Sequence, residues 1–82
     1  MKIIYFAWLK NITGKDQEII KNVNLKDVKS LKKFIIKKYP KLKIHFEEKN
    51  LIRVAINLKY TNINIKLNQN DEIAFFPQVS GG

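Results

Sequence analysis

Cysteine is absent from the 82 residues, so neither a disulfide nor a thiolate metal site can form. Histidine occurs once, at His45, and a single imidazole cannot build a metal cluster. No apolar run approaches the roughly 18 residues needed to span a bilayer. The apolar stretch from Ile3 to Leu9 is too short for a secretory signal, and no small-residue cleavage site follows it. These absences predict a cytoplasmic protein, with no membrane association and no metal. Arginine is nearly missing as well: of 16 basic residues only Arg53 carries a guanidinium. Acidic residues number 7, which leaves a net charge of +9. Such a charge invites a nucleic-acid reading. Lysine, however, lacks the planar fork that grips bases and phosphates at two points. The excess reads as surface lysine that steers an acidic protein partner, and no nucleic acid is expected.

What is present suffices for one small domain. Apolar residues make up 45% and aromatics 11% of the chain, too much for disorder. Residues 2–9, KIIYFAWL, are rich in β-branched and aromatic side chains and read as a strand. NITGKD, 11–16, carries turn chemistry around Gly14, and 17–25 reads as a second strand, so the pair predicts a hairpin. The period then changes. Val28, Leu31, Phe34, Ile35 and Tyr39 fall three or four apart and predict a helix over 28–39. Asp27 is placed to cap it, Lys37 and Lys38 suit its C-terminal dipole, and Pro40 stops it. Lys29, Lys32, Lys33 and Lys37 fall mostly on the solvated side. Strands are expected over 51–57 and 72–77, with a weaker strand and turn over 60–67. This order predicts an α+β domain, a mixed sheet with one main helix packed on one face.

One helix covers one face of a sheet, so the opposite face should be polar. Yet the first strand is apolar on both parities, Ile3, Tyr5 and Ala7 against Ile4, Phe6 and Trp8. The last strand repeats this, with Ile73 and Phe75 against Ala74 and Phe76. Both strands therefore belong at the centre of the sheet, adjacent and parallel. The set that does not face the helix leaves an apolar patch of the kind that docks a protein.

The chain runs out in FFPQVSGG, 75–82. Pro77 cannot donate to a ladder, so pairing should stop there and leave 1–77 as the folded domain. Residues 78–82 then form a flexible tail reaching roughly 15–18 Å if extended. Gly81 and Gly82 lack a Cβ and fit a slot too narrow for other residues. The reactive group at the tip is a carboxylate, a poor acylating agent that adenylation by ATP would make a good one.

Together, YFAWLKNITG, RVAIN and DEIAFFPQVSGG resemble the small, sulfur-carrying subunit of molybdopterin synthase, in order and over essentially the whole chain. The resemblance implies a ubiquitin-like β-grasp fold. It implies that an adenylating enzyme similar to ubiquitin-activating enzymes uses ATP on Gly82, and that a sulfur donor then makes the thiocarboxylate. The tail would insert into the large synthase subunit, in a heterotetramer, and pass sulfur to cyclic pyranopterin monophosphate. The chain would thus be part of an enzyme, not catalytic alone, and would bind no cofactor itself. By the same resemblance Gly82 carries the sulfur, Gly81 gives steric access, and Phe6, Tyr60, Phe76, Pro77 and Val79 contact the partner, with Trp8 a weaker candidate. Arg53 and His45 are given no chemistry. The family usually has a second proline where this chain has Gln78, and a glycine where it has Asn70. Two readings share the Gly-Gly chemistry: the sulfur carrier of thiamine synthesis, which usually lacks FFPxVSGG, and a ubiquitin-like modifier of lysines.

Overall fold

The computed structural model describes residues 1–21 and 24–78. Among these the elements run β1 (Lys2–Tyr5), α1 (Leu9–Thr13), β2 (Gln17–Ile19), α2 (Val28–Lys38), β3 (Ile52–Ile56), β4 (Lys59–Thr61) and β5 (Glu72–Pro77). The sheet order is β2-β1-β5-β3-β4. β1 and β5 are adjacent and parallel, with Ile3 opposite Ile73 and Tyr5 opposite Phe75. The other pairings are antiparallel, so the sheet is mixed. β5 is the middle strand and the edges are β2 and β4, as the doubly apolar character of β1 and β5 requires.

One parity of the central strands fills the core. Ile3, Tyr5, Ile73 and Phe75 are all but inaccessible, and Ile52, Val54 and Ile56 of β3 are buried beside them. α2 supplies Val28, Leu31 and Ile35 to the same cluster, and Phe34 and Tyr39 pack at its margin. Burying each such aliphatic side chain contributes about 1.5–3 kcal/mol. The start of α2 is held by a reciprocal cap. Asp27 Oδ1 accepts from the Ser30 amide at 2.8 Å, and Ser30 Oγ accepts from the Asp27 amide at 3.2 Å. Two free N–H groups are thereby satisfied. Pro40 follows the last turn and opens a 3-10 turn, Pro40–Leu42.

The first strand differs from expectation. It ends at Tyr5, and the residues read as a hairpin turn contain the helix α1. Ala7, at φ 56°, bends the chain out of the sheet. Leu9 and Thr13 then turn onto the core and are buried. Gly14 closes the helix at φ 78°, where its amide donates to the Lys10 carbonyl at 2.8 Å. A glycine suits that left-handed position because it has no Cβ to clash. β2 is shorter than the nine residues expected, and of 60–67 only Tyr60 and Thr61 pair as a strand, with one further bridge between Asp27 and Lys66. The segment after α2 holds a π-helical turn, Ile44–Glu48, which buries Phe46 edge-on against Phe75 at 5.3 Å.

The short edge strand β2 is tied down through Glu18. Tyr5 Oη and Tyr39 Oη both donate to Glu18 Oε2, at 2.6 and 2.7 Å, and Lys38 Nζ donates to Oε1. One carboxylate thus links β2, β1 and the end of α2. Burial pushes the Glu18 carboxyl up, but the hydrogen bonds from Lys38, Tyr5 and Tyr39 outweigh it and hold the group below its ordinary range. Burial and the same carboxylate push the Tyr39 hydroxyl up to about 12.

Candidate functional site

On the face of the sheet away from α2, the register aligns Ile4, Ala74, Ala55 and Tyr60 across β1, β5, β3 and β4. Two alanines at the middle of that row make a low floor. Larger side chains stand round it: Phe6 and Trp8 beyond the end of β1, Phe76 and Pro77 on β5, and Leu58 at the β3–β4 turn. The result is an open groove of about 710 Å³. Its lining is apolar save for Glu72 and Gln78. Phe6 is 46% exposed, Tyr60 58% and Leu58 90%. An apolar concavity of this kind has the character of a surface that docks another protein.

The rim holds a costly feature. β3 and β4 are joined by Asn57 and Leu58, with Ile56 opposite Lys59. Both turn residues have positive φ, 50° and 70°. Asparagine tolerates that region; leucine does not, and glycine is the usual second residue of such a turn. Leu58 is thus held in an unfavourable conformation with its side chain in solvent, beside the groove.

The exit of β5 is also defined. The ladder ends with Pro77 opposite Ile52, and one hydrogen bond follows it, the Gln78 amide donating to the Leu51 carbonyl at 2.6 Å. The strand therefore ends where the missing proline donor predicts. The Gln78 side chain is held as well, its Oε1 accepting from Arg53 Nη2. Arg53 Nη1 donates to the Asn50 carbonyl at 2.7 Å. Arg53, expected to be a structural or surface group, thus ties Gln78, the last described residue, to the Asn50 turn.

Of the residues expected at the site, Phe6, Phe76 and Pro77 line the one groove. Tyr60 stands at its margin, with its ring 6.1 Å from that of Phe76. Trp8 also lines the groove and is half-buried against the His45 ring at 4.7 Å. Val79, Gly81 and Gly82 lie outside the described residues. Sequence reasoning missed Ala55 and Leu58. Ala55 could have been found from the alternation of RVAIN, which puts it on the parity of Arg53. Leu58 could have been found from the asparagine before it, a two-residue hairpin signal.

No helix among the described residues is long and apolar enough to cross a membrane, and they contain no group of three acidic, His or Cys side chains able to hold a metal. The model of the ThiS family matches residues 3–82. The chain is 35% identical to the molybdopterin synthase sulfur carrier subunit of Dictyostelium discoideum, over 99% of this chain and 94% of that protein. It is 29% identical to the protein of the same description from Mycobacterium tuberculosis, over 100% and 96%. Among solved structures it is similar to the small archaeal modifier protein 1 of Methanosarcina acetivorans. There the TM-score is 0.80 at 26% identity, covering 99% of this chain and 94% of the other.

Proposed function

The chain belongs to the ThiS family, and from that premise we propose that it is the sulfur-carrier subunit of molybdopterin synthase. The similarity to two sulfur-carrier subunits along nearly their whole length carries this reading. The apolar groove supports it, because a carrier must dock on the proteins that load and unload it. In this account Gly82 is the carrier. Its carboxylate attacks the α-phosphorus of ATP on a separate adenylating enzyme, and pyrophosphate leaves. Hydrosulfide then attacks the acyl carbon, the bond from that carbon to the phosphate oxygen breaks, AMP leaves, and a thiocarboxylate results. Gly81, with no Cβ, lets the enzyme's slot close round the reacting carbonyl. The large subunit of the synthase covers Phe6, Phe76, Pro77 and Tyr60 and receives the tail, Val79 included. Sulfur passes to cyclic pyranopterin monophosphate, and Gly82 returns as a carboxylate. The chain carries the reacting group and the large subunit supplies the acid–base chemistry, in the cytoplasm.

The groove and the tail separate two tasks, recognition and transfer. The clasp of Arg53 on Gln78 joins them by giving the tail a fixed root. Deleting Gly82 tests the reading. It would displace the reacting carbonyl by one residue, about 3.5 Å, far more than reaction geometry tolerates. Conversion of the pterin by the reconstituted synthase is expected to be abolished, with an unchanged melting temperature. Gly81→Ile is expected to act alike, at the adenylation step. Persistent conversion by the deletion variant would refute the carrier role.

The similarity to a small archaeal modifier supports a second reading, in which the same acyl adenylate is joined to a lysine of a target protein. The first step is shared, so products decide. A thiocarboxylate belongs to the carrier and an isopeptide bond to the modifier.

A further inference from the structure

A second concavity, of about 470 Å³, lies round the β4 edge from the groove, between the first turn of α2, the start of β3 and residues 60–64. Lys29, Lys32 and Arg53 line it, with the neutral polar side chains of Asn50, Asn62 and Asn64. No acidic residue does. Elsewhere the lysines found in ion pairs are Lys10, Lys15 and Lys38, which meet Asp16 or Glu18. Among the described residues neither Lys32 nor Arg53 has a carboxylate partner. Asp27, one residue before the cleft, uses its carboxylate on the Ser30 amide and on Asn64 Nδ2. Lys32 Nζ rests instead over the Phe46 ring, 5.9 Å from its centroid. Arg53 spends its donors on neutral oxygens, those of Asn50 and Gln78. Burial and the Arg53 charge together pull the Lys32 ammonium below its ordinary range. Two cations thus line one half-enclosed space, and among the described residues no carboxylate pairs with either.

We propose that this cleft takes an acidic segment of the same protein that covers the apolar groove. Charge complementarity selects the chemistry, since a carboxylate seated there would relieve the repulsion between Lys32 and Arg53. Continuity selects the owner. Tyr60 lines the cleft while its ring contacts Phe76, which lines the groove. Arg53 lines the cleft while it holds Gln78, which lines the groove. A partner seated on the groove therefore reaches the cleft without leaving the surface. A rim of matched charge sets orientation and association rate round an apolar centre. The source of the segment rests on the docking reading above; the cleft's preference for carboxylates does not.

The test uses the isolated full-length chain, labelled with 15N, and a capped hexaglutamate peptide as the probe. Saturable amide shifts are expected at Lys29, Lys32, Arg53, Tyr60 and Asn62, weakening as salt rises. Lys32→Gln with Arg53→Gln is expected to lower peptide affinity about tenfold or more. Lys41→Gln with Lys43→Gln removes the same charge from exposed lysines outside the cleft, and is expected to change it less than about twofold. Melting temperatures are recorded alongside, and Lys32→Gln alone decides if loss of Arg53 unfolds the chain. Shifts spread evenly over the lysine surface, or equal losses in the two double variants, would overturn the proposal. So would tighter binding at the same residues of inorganic phosphate or of hexathymidylate, which would make the cleft a small-anion or nucleic-acid site. None of these outcomes depends on Gly82, so failure here and failure of the carrier chemistry remain distinct.

Discussion

Leu58 separates binding from folding more cleanly than any other side chain. A left-handed conformation costs a residue with a Cβ about 1–2 kcal/mol. The side chain recovers nothing from the core, since it is 90% exposed. Leu58→Gly removes that strain, partly offset by the greater freedom of glycine in the unfolded chain. The variant is expected to melt at the same temperature or higher, and to bind the large subunit about tenfold more weakly in calorimetric titration, as the loss of one buried leucine implies. Unchanged affinity would remove Leu58 from the interface. Glu18 is its opposite, a residue whose carboxylate is spent on contacts within the fold. Its pKa in the folded chain lies below the ordinary value. A depressed carboxyl adds stability that is present above the unfolded pKa and lost as pH falls through the folded one. Glu18→Gln is therefore expected to lower stability at neutral pH by about 1–3 kcal/mol and to flatten the acid limb of a stability–pH curve below about pH 4.5. An acid limb as steep as that of the unaltered chain would show that other carboxyls govern acid unfolding.

At the scale of elements, the sheet uses its two faces for different ends. Ile3, Tyr5, Ile73 and Phe75 build the core under α2, and Ile4, Ala74, Ala55 and Phe76 shape the groove. Ala55 lies on the groove floor, opposite Ala74 in register and outside the core. Ala55→Leu should fill the groove from below without disturbing α2. Docking is expected to fall by about 1–3 kcal/mol, the usual cost of overpacking, with the melting temperature held. Full binding by that variant would show that the partner avoids the floor. The two-faced character of β1 and β5 was legible from their alternation, and α2 from its period, its Asp27 cap and Pro40. The helix α1 was not. Five residues are too few to display a helical period, and AWL continues the apolar run of the strand before it. What separates them is the backbone turn at Ala7, a residue type that gives no warning of positive φ.

For the molecule as a whole, a ubiquitin-like α+β scaffold presents an apolar groove, a basic cleft beside it and a strand exit held by Arg53. The fold class was legible from the order of elements, and the central pairing of β1 with β5 from strands apolar on both parities, one set for the core and one for the groove. Much of the groove was legible for the same reason. Its concavity was not, because it depends on two alanines from different strands meeting in register. Nor was the clasp between Arg53 and Gln78, 25 residues apart in sequence. The carrier role belongs, as proposed, to Gly82. It is tested most directly by the intact mass of the chain after incubation with the adenylating enzyme, ATP and a sulfur donor, with fragmentation to locate the change. A gain equal to sulfur replacing oxygen is expected, confined to Gly82 and absent without ATP. An unchanged mass while ATP is consumed, or a gain placed elsewhere in the chain, would contradict that role.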